Sequence, residues 1–347
     1  MLRRSLFSLL VTVLCGFTAA ARAEIVVDIY GARLPVVSRG DIDLAAARRD
    51  GLAQVLVKAS GDAAAAARPA VAAALSEADR YLLSYSYVEN DGEGLWLRLD
   101  YDERAVQALL RSAGLPLWTA NRPAVLVWLV YSDGVRRRFV GPADMPAEAD
   151  ALAYSFERRG LPLQLPLLDL QDVAALNPGE AWRQSSAALV DASRRYRGTE
   201  LLAGRVARTS AGRWVGDWRL LYGGRWLSQP VDTADFADFA DAGSDLVART
   251  VAGRYAVNLA DSADLRHRVI LRGVRSYGDF AAARQILEGL EAVRRVVPER
   301  LVGDQVSLRI EADADLVQLA RIIELDRRFV AVPAAAGEFG LLYEWMR

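Results

Sequence analysis

Very few side chains in this sequence could carry chemistry. It holds one histidine, His267, one cysteine, Cys15, and one lysine, Lys58. Histidine is the commonest acid–base and metal-ligating residue, so a Ser-His-Asp arrangement would have to use His267. No Gly-x-Ser-x-Gly elbow supplies its serine. One histidine with no cysteine near it leaves only carboxylates for zinc. His267 opens an apolar strand pattern and is expected to be a solvated strand-end residue. Lys58-Ala59-Ser60-Gly61 has the outline of a Lys-Thr-Gly box, but no Ser-x-x-Lys precedes it. Lys58 is therefore expected to complement the C-terminal dipole of its helix. No Walker loop or dinucleotide fingerprint is present, and no cofactor is expected.

The carboxylates offer two clusters. Asp232, Asp235, Asp238, Asp241 and Asp245 recur at steps of three or four. Calcium takes carboxylate oxygens, but this spacing is not that of an EF-hand loop. A solvated face at a helix start, capped by Asp241, accounts for the ladder. Glu311, Asp313 and Asp315 straddle a strand end and a helix start, where capping explains them. No metal site is expected. A pair of carboxylates converging for glycoside cleavage stays open, with no pair preferred.

The remaining candidates are cationic and aromatic. Arg136, Arg137 and Arg138 follow an apolar strand in what reads as a loop, a favoured position for binding residues. Trp214, Trp218 and Tyr222 are spaced to share one face of a strand, and Trp226 opens the next strand. Such a face either stacks on sugar rings or peptide, or is a core face under helices; burial energy favours the core. Arg136, Arg137, Arg138, Trp214, Trp218 and Trp226 are thus the candidate partner-binding residues. The other arginine pairs, such as Arg48-Arg49 and Arg294-Arg295, read as solvated faces rather than a nucleic-acid or lipid patch.

Bulk properties bound the rest. The chain has 347 residues, 52% hydrophobic and 25% charged, which is a globular composition of two or three domains. A net charge of −1 gives no bulk attraction to nucleic acid. Arg3 and Arg4, the apolar run Leu6–Phe17 and Ala21-Arg22-Ala23 read as a signal peptide, residues 1–23, cleaved after Ala23. Lipidation at Cys15 is the rival reading, opposed by the bulky Leu14 and by apolar sequence beyond the cysteine. Cleavage removes three arginines, leaving 40 basic against 44 acidic groups and no thiol. No later apolar stretch is long enough to cross a bilayer. A periplasmic location is expected.

An α+β fold of three modules must position these residues. The first, residues 24–116, has a strand or pair of strands over 25–37 and a helix capped by Asp41–Asp43 and stopped by Gly61. A second helix runs from Pro69 to about Arg80. A hairpin follows around residues 90–92, then a helix over Glu103–Ser112. The second, residues 121–258, reads as βαβα, a three-stranded meander and a final helix from Asp241. Its elements include a strand over 124–131 and single helices over 147–159 and 180–195. The third, residues 265–335, reads as βαββαβ, the ferredoxin-like plan. The tail 337–347 is apolar enough to dock. Between the first two modules lies Leu115–Val130, punctuated by Pro116, Asn121 and Pro123. Its run from Ala124 to Val130 suits a strand buried on both faces.

Gly114-Leu115-Pro116-Leu117-Trp118, then Asn121-Arg122-Pro123, then Val125–Leu129 with Trp128, resemble the junction of the proteobacterial DUF2066 family. The likeness in plan extends over nearly the whole mature chain, including Arg272-Gly273-Val274 and the 277–290 helix. Members of that family are exported proteins of unassigned function, so the resemblance implies export and no catalytic residues. In element order alone, the middle module is similar to TolB N-terminal-like domains and to outer-membrane activator and flagellar assembly proteins, an analogy of fold. The expectation is an exported, non-catalytic envelope protein. It would bind a periplasmic or outer-membrane protein or a peptidoglycan-associated component, and no nucleic acid. A periplasmic hydrolase using converging carboxylates is the alternative.

Overall fold

Caps and breakers place the first elements. The computed structural model describes residues 27–40, 42–90, 94–196, 199–257, 265–333 and 340–346. The expected signal peptide and Cys15 lie outside the described residues. In the first module, β1 (Gly31–Val36) leads to α1 (Leu44–Ser60), where the Asp43 carboxylate accepts from the Ala46 N–H. The helix stops at Gly61, which holds φ +72° and donates to the Val57 carbonyl, a left-handed position that suits glycine. The helix α2 (Pro69–Leu75) ends sooner than its sequence suggests. The Ser76 hydroxyl donates back to the Ala73 carbonyl, competing with continuation, and a single 3-10 turn follows at Ala78–Arg80. The strands β2 (Leu82–Asn90) and β3 (Gly94–Tyr101) and the Asp102-capped α3 (Glu103–Ser112) complete the unit. Its antiparallel sheet has the order β1-β3-β2 and packs Leu97 and Leu99 on Leu52, Val55 and Leu56 of α1.

The middle module opens with β4 (Ala124–Ser132) and continues with β5 (Arg137–Phe139), α4 (Pro146–Arg158), β6 (Leu163–Gln164) and α5 (Leu170–Ala175). Next come α6 (Pro178–Trp182), α7 (Ser186–Ser193), β7 (Thr199–Arg208), β8 (Trp214–Tyr222), β9 (Arg225–Thr233) and α8 (Phe236–Tyr255). The sheet order is β5-β4-β7-β8-β9, with β6 against the start of β4. The strand β4 is buried on both faces. Val125, Val127 and Leu129 join the core under α4 and α8, while Leu126, Trp128 and Val130 join the core under α6 and α7.

Three expectations fail here. The single helix over 180–195 is two, because Gln184 takes a positive φ of 51° between α6 and α7. An Asn177–Glu180 capping box starts the first of them. The last helix begins at Phe236, so Asp241 lies inside it rather than capping it. Arg137 and Arg138 belong to a strand paired with β4, not to a loop.

The third module comprises β10 (Leu265–Arg272), α9 (Tyr277–Glu288), β11 (Val293–Val302), β12 (Gln305–Ala312), α10 (Leu316–Ile323), β13 (Phe329–Ala331) and β14 (Leu341–Trp345). Its order is β11-β12-β10-β14-β13. The βαββαβ plan puts the closing strand beside the first. Instead the tail strand β14 takes that place, parallel to β10, and β13 moves to the edge. The tail is the more apolar of the two: Tyr343 and Trp345 pack in the core with Phe329 against them. The chain is α+β, with three separate sheets.

Candidate functional site

All three modules meet on residues 117–122. Leu117 exchanges both backbone hydrogen bonds with Val257, each 2.7 Å, and the Trp118 N–H donates to the Ala59 carbonyl. The Ala120 N–H donates to the Glu291 carboxylate at 3.0 Å, and Asn121 Nδ2 donates to the Ile322 carbonyl. Arg122 is buried at the centre. Its Nε donates to Thr119, its Nη1 to Arg159 and Gly160, and its Nη2 to Lys58 and Trp118, in each case to the backbone carbonyl. A guanidinium has five N–H donors, so this one is fully satisfied without a carboxylate contact. It also lies 3.8 Å over the Trp118 ring. Burial pushes its pKa down, opposed by Glu291, whose own carboxyl is pushed up by burial.

Beside this hub a cleft of about 310 Å³ separates β1 and β3 of the first module from α4 of the second. Its charged lining is Asp28, Arg33, Lys58, Arg98 and Glu157. Arg33 bonds Glu157 at 2.7 Å and lies over Trp96, while Arg98 pairs with Asp28 and Asp100. Lys58 is not the exposed helix-end lysine its position suggests. It is 3% exposed, and its Nζ donates to the carbonyls of Gly31 at 2.7 Å and Asp28 at 3.2 Å. Burial pushes it down to about 8. These charges are met by groups of the protein itself, so the cleft fastens two modules together.

The residues singled out from sequence divide between the two faces of the middle sheet. Trp214 and Trp218 face α8. Trp218 is fully buried, and its Nε1 donates to the Phe239 carbonyl at 2.8 Å. Glycines make room for it: a Cβ at Gly204 or Gly243 would stand 2.4 or 2.6 Å from its ring. Trp214 packs between Tyr131 and Phe236. Neither tryptophan is accessible to a partner, which corrects their candidacy. Arg138 lies over Tyr131, and Arg136 sits in the turn before β5. That turn is held by Asp133, whose carboxyl accepts the N–H groups of Val135 and Arg136 and is held below its usual range by them.

Arg137 and Trp226 share the opposite face with residues the sequence reading passed over. Arg137 lies 5.1 Å from the Trp182 ring and Arg205 5.9 Å from the same ring. Arg205 pairs with Asp217 at 2.7 Å. Arg219 lies 4.8 Å over Trp226 and donates to the Gln184 carbonyl. Helices α6 and α7 cover β4 and β7 on this side, while Ser228, Pro230 and Asp232 of β9 remain exposed. Strand alternation already places Arg205 with Asp217, Arg219 and Trp226 once the pairing of β7, β8 and β9 is known. Trp182 gave no such signal, since it sits at the end of a short helix.

The other candidates have structural partners. His267 Nε2 donates to the Ala314 carbonyl at 2.7 Å. Asp232, Asp241 and Asp245 pair with Arg213, Arg158 and Arg159. Asp315 caps α10 in a capping box with Gln318, and Asp313 pairs with Arg294. Among the described residues no group of three or more His, Cys, Asp or Glu could hold a metal, and no helix is long and apolar enough to cross a membrane.

A family model described as "Domain of unknown function (DUF8605)" matches residues 23–119, the first module and the start of the junction. It is a different family from the one the junction residues resemble. No curated protein matches the chain. Among solved structures, the crystal structure of an uncharacterized protein is similar at 14% identity. It covers 38% of this chain and 93% of its own, with a TM-score of 0.17.

Proposed function

We propose that this protein is exported to the periplasm and works without catalysis. It would bind another envelope component, a protein or a peptidoglycan-associated molecule, on the open face of the middle sheet. The observation that carries this reading is the row Arg137, Trp182, Arg205, Arg219 and Trp226, which places three guanidiniums 4.8–5.9 Å from two half-buried indoles beside an uncovered strand. Arginine and tryptophan are the residue types that dominate binding hot spots. The signal-peptide pattern and the DUF2066-like junction support the envelope location. The hydrolase alternative needs two carboxylates facing one cleft. Asp28 and Glu157 do line one cleft, but each is held in an ion pair, with Arg98 and Arg33, and among the described residues the carboxyls that burial pushes up, Glu200 and Glu291, lie outside it.

A photo-crosslinking residue at position 226, introduced in intact cells, tests the proposal. A defined adduct with one identified envelope component is expected, from a chain that begins at Glu24. The adduct should disappear with Arg137→Glu. The same adduct from position 84 on the first module, or none from 226, would end this reading.

A further inference from the structure

A second surface lies on the third module, where the open face of its sheet meets the start of α10. Arg268 of β10 and Arg309 of β12 are directly opposed in register. Like charges facing each other across strands are destabilising unless an anion lies between them. Here Glu299 does so, and it can because the β11–β12 register shifts between Pro298 and Arg300, making Glu299 the extra residue of a bulge. Bulges re-aim side chains in this way.

The match is loose. Glu299 reaches Arg268 at 3.4 Å and Arg309 at 3.5 Å, whereas most other ion pairs among the described residues close to 3.0 Å or less. Arg309 Nε is shielded from solvent and has no acceptor. A shielded donor without a partner calls for an explanation. Next to this pair, Arg266 and Arg295 flank Glu311 in register, so four guanidiniums face two carboxylates. A cavity of about 450 Å³ opens here, lined by Arg266, Arg268, Glu299 and Arg309 of the open face together with His267, Gly340 and, at the start of α10, Leu316.

We infer that this cavity is a binding site for a phosphate group, seated between the Arg268 and Arg309 guanidiniums. Guanidinium forks match the geometry of a tetrahedral oxyanion and bind it in bidentate fashion. Phosphate oxygens would supply the acceptor that Arg309 Nε lacks and would tighten a pairing that one carboxylate spans poorly. The cavity exceeds the size of an inorganic phosphate ion, which leaves room for the group that carries it. This site is separate from the arginine–tryptophan face and does not depend on the function proposed for it.

Titration of the full chain with inorganic phosphate, at low and constant ionic strength, provides the test. Saturable binding at one site per chain is expected, weakened at least tenfold by Arg309→Met. Arg268→Met gives the same readout should the first variant fail to fold. Glu299→Gln removes the competing carboxylate and is expected to tighten binding severalfold, while Arg137→Met on the other surface leaves it unchanged. Flotation with phosphatidylglycerol-containing vesicles, against phosphatidylcholine alone, separates the sources. Binding to phosphate and not to vesicles assigns a soluble phosphate compound; binding to the anionic vesicles, lost in Arg309→Met, assigns a lipid headgroup. Binding to neither, or binding that both arginine variants leave intact, overturns the inference.

Discussion

Arg122 and Arg219 are both arginines that hold backbone carbonyls and lie over a tryptophan, yet they belong to opposite kinds of surface. Arg122 is buried where three modules meet, with carbonyl acceptors from Lys58, Trp118, Thr119, Arg159 and Gly160 around it. Arg219 donates to one carbonyl, that of Gln184, and leaves its stacked face on Trp226 beside open strand. The first arrangement has no donor left for a ligand. The second keeps cationic and aromatic area in contact with solvent. Satisfaction, rather than residue type, separates the part of this chain that holds modules together from the part available to a partner.

The largest effect expected from this contrast is at Arg122. Arg122→Leu would leave several buried carbonyls without a donor and the Trp118 ring without its guanidinium. Each buried acceptor left unmet costs about 1–3 kcal/mol, so a loss of at least about 3 kcal/mol is expected in chemical denaturation. The first and middle modules should also lose their common transition, because Lys58 and Gly160 are joined through this side chain. A loss below about 1 kcal/mol would mean that the junction is held by its apolar contacts, and the contrast with Arg219 would fall.

Much of the scaffold around this contrast was legible in the sequence because its signals are local. Asp43, Asp102 and Gly61 cap helices where they stand, and the unbroken apolar run 124–130 declares a strand buried on both faces. The role of Arg122 was not legible. Its partners are backbone carbonyls, which every residue carries, so a charge between Asn121 and Pro123 reads as a solvated loop. The break at Gln184 carries no glycine or proline to mark it. The bulge that aims Glu299 depends on strand register, and the insertion of β14 beside β10 depends on which of two apolar segments packs better on Val269 and Leu271. The arginine–tryptophan face was half legible: Arg137 and Trp226 were found, but Trp182 and Arg219 join them only through tertiary packing.

A middle-sized effect, and one that depends on pH, is expected at Lys58. Burial holds its folded pKa at about 8 against an ordinary value of 10.5. Between those values the unfolded chain binds more protons than the folded one, so stability rises with pH. The neutral amine keeps two N–H groups, enough for the carbonyls of Gly31 and Asp28. The full shift corresponds to about 3 kcal/mol at 1.36 kcal/mol per unit. Only the part below pH 10 is cleanly observable, because the Tyr30 and Tyr101 phenols, raised by burial, make stability fall with pH above that. Urea melts from pH 7 to pH 9.5 should show a rising midpoint in the parent chain and a flatter one in Lys58→Met. Parallel curves would place Lys58 in contact with solvent and remove it from the junction.

The smallest effect on stability is expected where the largest effect on binding is. Trp226 is half-buried, packed against the core under α6 and α7, with the Arg219 guanidinium 4.8 Å over its ring. A cation–π contact at such a site contributes about 0.5–1 kcal/mol. Trp226→Ala should therefore lower the free energy of unfolding by about 1–2 kcal/mol, the cation–π contact plus part of an indole's burial, since β9 keeps its pairing with β8 and the core behind Trp218 is untouched. The same substitution removes one of the two indoles from the proposed binding face and should abolish capture of the envelope component. If Trp226→Ala instead costs as much as Arg122→Leu, the indole supports the fold, and the open side of the sheet is not an interaction surface. If it costs little and capture persists, the partner sits elsewhere. Small cost with lost capture is the pattern that keeps the two arginines in different classes.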